Sequence, residues 1–265
     1  MRTHWMSPLA AAAIATLVAC GGGGEQQTES RRSRAGSGEG GAAAPAGGGG
    51  NYMVAAVGDA GTVSGSVKFQ GTPPPAETVE VSKDNAVCGE SKVLETVQVD
   101  PSGGLSSVVV WIDGISKGKD WGPLGAGTVD QKECHYSPYV QIVKAGESLD
   151  IVNSDPVLHN VHAYANDTET LFNLAQPTKG MRTPRKMDKT GPVHLKCDVH
   201  SWMSAWVFVA GHPYYTVTGA DGSFSLPDVP AGTYKLKAWH AKFGEKTADV
   251  TVSAGGAATA EFSMP

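Results

Sequence analysis

From Gly61 to the end of the chain, short runs rich in β-branched and aromatic residues alternate with Gly, Pro, Asn and Asp. The runs "TVSGSVKF", "SVVVWID", "YVQIV", "ESLDIVN", "VHLKC", "AWVFVA", "YKLKAWH" and "TADVTV" read as strands bounded by turn residues. In "ESLDIVN" the apolar Leu149 and Ile151 alternate with Ser148 and Asp150, the two-residue period of a half-buried strand. No run is long enough, at a 3.6-residue period, to specify a helix. The continuous "SVVVWI" predicts a central strand, and the Pro-rich "GTPPPAE" a turn or edge. The stretch "SKGKDWGPLGAGTVDQKE" reads as a loop. Many short strands at this spacing predict an all-β chain of sandwiches or barrels rather than a parallel sheet.

The front of the chain sets the compartment. Arg2 precedes an apolar run from Leu9 to Val18, too short to span a bilayer but suited to an export signal. That run ends in "LVAC", which resembles the bacterial lipoprotein signal and implies cleavage before Cys20 and lipid attachment to its sulfur. An ordinary secretory signal with a chance cysteine is the alternative. Gly21 lacks the Asp that commonly signals inner-membrane retention, which leans toward an outer-membrane anchor. Residues 21–60 are low-complexity Gly, Ala, Ser and Glu, with too little apolar surface to repay ordering. They read as a disordered tether of roughly 35 Å root-mean-square reach. The expected product is an exported periplasmic or cell-surface lipoprotein.

The net charge of −5 gives no electrostatic footprint for nucleic acid. Three cysteines follow Cys20: Cys88, Cys134 and Cys197. In an oxidising compartment two should pair and one remain. Cys88 in "DNAVCGES" and Cys134 in "QKECHYSP" share polar, turn-like contexts and are the expected disulfide, leaving Cys197. A free exported thiol is open to oxidation unless a metal holds it.

Cys197 lies in "CDVHSWM" with His200 and Met203, and "NSDPVLHNVHAY" offers His159 after an apparent strand and turn. Zinc prefers four strong donors, and a thioether is a poor fourth. Iron–sulfur clusters need more thiolates than one cysteine supplies. Two imidazoles, one thiolate and a weak thioether suit a blue-copper ion. A set of His159, His162, Cys197 and His200 would suit zinc, but strand positions three apart point to opposite faces. His135, His194, His212 and His240 read as structural or exposed.

The segment "YVQIVKAGESLDIVNSDPVLHNVHAY" followed by "CDVHSWM" resembles the cupredoxins, most closely those of the amicyanin and plastocyanin type. The resemblance covers roughly residues 137 to 210. It implies a Greek-key sandwich holding one copper ion on His159, Cys197, His200 and Met203, with Asn160 tying the ligand loops together. It also implies electron exit through an apolar patch around His200 and Trp202. Lys196 and Asp198, not histidines, flank Cys197, so the wiring of multicopper oxidases and copper nitrite reductases is missing. The single cysteine rules out a two-copper centre. No catalytic motif is present, so an electron carrier rather than an enzyme is expected. The basic run "TKGMRTPRKMDK" is a candidate surface for an acidic redox partner.

The end of the chain carries "TGADGSFSLPDVPAGTY", which resembles the carboxypeptidase-regulatory, transthyretin-like β-sandwich. About fifty residues alone bury only a marginal core. The opening "GTVSGSVKFQGTPPPA" resembles that module's first strand, so residues 61–82 are expected as a hairpin completing it. The expected organisation is a signal over 1–20, the tether over 21–60, that hairpin, a copper domain over 83–212 and the smaller sandwich over 213–265. The expected function is a membrane-tethered, extracytoplasmic blue-copper protein carrying single electrons between redox partner proteins. The alternative is copper handling, or a surface protein stabilised by its metal.

Overall fold

The computed structural model describes residues 52–265, so the expected export signal, Cys20 and most of the expected tether lie outside the described residues. Apart from one helical turn, Asn85–Cys88, the regular structure is all strand. Two sandwiches account for most of it.

In the first, a five-stranded sheet runs Glu169–Gln176, His159–Ala165, Gly191–Lys196, Ser204–Ala210 and Val140–Lys144. A four-stranded sheet runs Arg182–Lys186, Ser148–Asn153, Gly127–Lys132 and His135–Ser137. Between them pack Val129, Leu149, Ile151, Val161, Leu195 and Val207. The second sandwich has a four-stranded sheet of Tyr215–Val217, Val109–Ile112, Gly232–His240 and Gly244–Val252. Its other sheet is Ser223–Val229, Gly61–Phe69 and Ala257–Met264.

An aromatic seam joins the two. Along Ser204–Ala210, Ala205, Val207 and Val209 enter the first core, whereas Trp206, Phe208 and Ala210 face Trp111, Tyr215 and Trp239. Successive strand residues point to opposite faces, so one strand serves two interiors. The same holds for Val108–Ile112, whose Val110 and Ile112 enter the second core while Val109 and Trp111 join the seam. Trp111 stacks on Tyr215 at 5.7 Å, and Trp206 meets Trp239 edge-on at 5.0 Å.

Four expectations need correction. Residues 61–82 form no hairpin: Gly61–Phe69 lies between Ser223–Val229 and Ala257–Met264, while Thr78–Glu80 pairs with Ser91–Val93. Val109–Ile112, assigned from sequence to the copper domain, belongs to the second sandwich, because its pairing partners lie more than a hundred residues downstream. The supposed loop before Cys134 contains the strand Gly127–Lys132, paired in parallel with Ser148–Asn153. Its inward Gln131 is fully buried and bonded to Val152 O and Gln176, so its polarity hides the strand pattern. Finally, the tether ends early. Met53–Val54 pairs with Lys117–Gly118, and Tyr52 donates to Lys119 O at 2.8 Å.

Gly65 shows how tightly the first strand is held. A Cβ there would stand 1.7 Å from Ala260 O, inside the parallel pairing of Gly61–Phe69 with Ala257–Met264. Gly65→Ala should therefore cost about 3 kcal/mol, read as a lower denaturant midpoint.

Two buried histidines make stability depend on pH. Burial pulls His212 and His240 down to about 4, and His240 Nε2 is buried without a hydrogen-bond partner. Between the unfolded value of about 6.5 and that folded value, only the unfolded chain takes up these protons. Stability present above about pH 6.5 is then lost as pH falls toward about 4, by up to roughly 3 kcal/mol per histidine. Thermal melts across that window should show the decline, and a flat melting temperature would contradict it.

Candidate metal centre

The site forms where one end of the first sandwich is closed by loops. His159 opens the strand His159–Ala165, Cys197 follows Gly191–Lys196, and Met203 precedes Ser204–Ala210. The loop between the last two strands is tight: Cys197 N–H donates to Met203 O at 3.3 Å and Met203 N–H to His200 O at 2.9 Å. His200 N–H donates to Cys197 Sγ at 3.4 Å. Asn160 ties the loop to the neighbouring strand by accepting from Asp198 N–H at 2.6 Å and donating to Asp198 Oδ2 at 3.0 Å.

The structure brings three of the four predicted donors together. His159 Nδ1 and His200 Nδ1 lie 3.0 Å apart, and Cys197 Sγ is 3.9 Å from His200 Nδ1. One ligand atom from each of these three residues falls within 4.8 Å of the others. His159 and His200 are fully buried, Cys197 is 3% exposed, and Met203 is 2% exposed in the same core cluster. His162 stays apart, bonded to Asp198 at 3.1 Å and to Thr170 at 3.1 Å. His194 pairs with Asp167 and Ser204 and stacks on Trp206.

Two carboxylates that sequence reasoning missed fix the histidines. His159 Nε2 lies 2.9 Å from Asp155 Oδ2, and His200 Nε2 lies 2.9 Å from Asp84 Oδ2. A carboxylate only accepts, so each Nε2 carries the proton. In neutral rings this leaves both Nδ1 atoms as bare lone pairs facing each other. Two lone pairs 3.0 Å apart repel, and a proton or a metal cation held between them relieves that repulsion. Burial, against the upward pull of Asp155, holds His159 below its usual value and so keeps it neutral. Burial would raise the Asp155 carboxyl, but hydrogen bonds from the Cys134 amide, His159 and the Glu133 amide outweigh it and hold it low. The donor set of two imidazole nitrogens, a thiolate and a nearby thioether fits copper better than zinc or iron. Asp155 lies only four residues before His159 and was open to a local reading. Asp84, 116 residues before His200, gave no signal.

Cys88 and Cys134 are joined by a disulfide, and Cys197 is the free, buried cysteine. Cys134 sits at a junction. Its N–H donates to Asp155 at 2.8 Å, and its carbonyl accepts from Trp202 Nε1 at 3.1 Å. Tyr136, close by, donates to Asn160 O at 2.6 Å. Burial, with Cys197 and Asp198 adding, pushes its hydroxyl well above the ordinary range.

The expected exit patch is corrected by this geometry. His200 does not reach the surface, because the Asp84–Cys88 turn and the disulfide cover its outer edge, and Trp202 is only 9% exposed. The basic run is also less bare than its sequence suggests. Arg182 pairs with Asp150, Lys186 with Asp188 and Lys189 with Glu169.

The sequence pattern of the carboxypeptidase regulatory-like domain matches residues 204–265, opening earlier than the boundary expected at 213. No curated protein matches the chain. Among solved structures the chain is similar to a purple cupredoxin from Nitrosopumilus maritimus, at 21% identity over 32% of this chain and 99% of that one, with a TM-score of 0.29. A reduced amicyanin variant is 25% identical over 32% of this chain and 82% of its own, with a TM-score of 0.29. A copper-containing nitrite reductase from Thermus scotoductus SA-01 is 22% identical over 34% of this chain and 23% of that enzyme, with a TM-score of 0.28.

Replacing both disulfide partners by serine should cost about 4 kcal/mol on the chain-entropy model, given their separation of 46 residues. Urea unfolding of the metal-free protein measures this, and an unchanged midpoint would show that the bond does not hold the flap formed by residues 84–88.

Proposed function

We propose that His159, Cys197, His200 and Met203 hold one copper ion and that the protein carries single electrons between redox partners outside the cytoplasm, anchored to a membrane through lipid on Cys20. The observation that carries the reading is the pair of inward Nδ1 atoms beside a buried thiol, each ring held from behind by a carboxylate. A bound copper ion supplies a one-electron couple between its cupric and cuprous forms. The chain supplies everything else. The β-scaffold fixes the donors in place, so little nuclear rearrangement accompanies the change of charge. The flap excludes water and exogenous ligands from His200. The amide of His200 stabilises negative charge on Cys197 sulfur.

Carriage is favoured over catalysis because Lys196 and Asp198 flank Cys197, which offers no histidine bridge to a second metal. It is favoured over copper delivery because the histidines and cysteine are buried, whereas a delivery site must present its donors to a partner.

Titration of the purified protein with Cu(II) should saturate at one equivalent. It should develop an intense visible thiolate-to-copper band and give a reversible one-electron wave, with Cys197→Ser abolishing both. Colourless binding, or a colour that survives Cys197→Ser, would overturn the reading.

A further inference from the structure

Asp84 belongs to no part of the ligand loops, yet it makes the closest contact to the outer edge of His200. It occupies a left-handed backbone conformation, φ 58°, at the start of the Asn85–Cys88 turn. That conformation is tolerated by Asp and Asn but costs other side chains about 1 kcal/mol. The turn is pinned. Val87 and Cys88 amides donate to Asp84 O at 2.9 Å, Asn85 Nδ2 donates to Val81 O at 3.0 Å, and Cys88 is bonded to Cys134.

The pinning closes a ring. Asp84 holds His200; Cys88, four residues on, is tied to Cys134; the Cys134 amide holds Asp155; and Asp155 holds His159. The two imidazoles that face each other across the donor cluster are therefore fixed from behind by one connected frame.

We propose that Asp84 is a positioning residue for the copper site, which holds the His200 imidazole with Nδ1 turned inward and places a negative charge behind it that favours the cupric over the cuprous ion. The inference rests on the copper reading and deepens it. Carboxylates behind metal-bound histidines raise ligand basicity, and their loss typically weakens metal binding 10- to 100-fold. A fixed negative charge stabilises a dipositive ion more than a monopositive one. Removing it must therefore raise the reduction potential.

Asp84→Asn is the informative variant, since Asn keeps the backbone conformation and an oxygen acceptor for Nε2–H while losing the charge. Asp84→Gly serves as a second charge-free variant, since glycine takes the left-handed conformation freely. Cu(II) affinity should fall about tenfold more than Cu(I) affinity, a rise in midpoint potential of about 59 mV for a one-electron couple. Zn(II) affinity, measured by chelator competition as a redox-silent probe, should fall about tenfold. Asp84→Glu should recover part of both, which a merely structural role would not give. The circular dichroism of the metal-free variants should match the parent, as should the melting temperature of Asp84→Asn, while Asp84→Glu should melt lower by the cost of its left-handed backbone. Potential and zinc affinity within twofold of the parent in both charge-free variants would overturn the proposal. A parent that binds Zn(II) at this cluster but develops no colour with Cu(II) would sink the copper reading, while the zinc measurement would still decide whether Asp84 positions His200.

Discussion

The site depends above all on a single residue that binds no metal. Cys134 is disulfide-bonded to the flap, donates its amide to the carboxylate behind His159, and receives the indole of Trp202 on its carbonyl. Three segments that are remote in sequence are therefore registered against one another by covalent and hydrogen bonds from one buried position. Buried hydrogen bonds to a charged carboxylate are among the stronger ones available to a protein. Both imidazoles inherit their orientation from this junction rather than from the ligand loop alone.

The rest of the architecture serves to keep that junction still. The first sandwich supplies the strands whose ends carry His159, Cys197 and Met203, and the loops between them are closed by backbone bonds. The second sandwich is built from three separated pieces of chain: Gly61–Phe69, Val109–Ile112 and everything from Tyr215 onward. The first sandwich, which carries the candidate site, is thus inserted in the chain between those pieces, and the two share the aromatic seam around Trp111, Trp206 and Trp239. The strand Gly61–Phe69 precedes the first sandwich in the chain, and both of its partners follow it.

Much of this was legible from the residues, and the reasons are local. "CDVHSWM" and "HNVH" carry their chemistry in short spacings, and the turn-bounded strands after Gly61 show their period directly. The disulfide followed from counting thiols. What stayed hidden is non-local or chemically disguised. Asp84 meets His200 only through the fold, and a lone Asp in "SKDNA" looks like any turn residue. Gly127–Lys132 was masked by Gln131, a polar side chain buried in the core whose Nε2 donates to Val152 O. Val109–Ile112 was recognised as a buried strand, but a continuous apolar run does not say which of two cores it enters. The exit patch failed for a related reason: a resemblance limited to residues 137 to 210 contains no information about a lid contributed from residues 84–88.

The strand Ser204–Ala210 has one more implication. Its odd-numbered residues fill one interior and its even-numbered aromatic residues the seam, so it has no alternative register. A slip by a single residue would drive two bulky rings into a space shaped for alanine and valine. Because this strand starts immediately after Met203, the spot where the thioether stands is dictated by stacking on the far side of the sheet. Swapping the residues from Tyr215 onward for an unrelated module would consequently shift where the Met203 thioether stands.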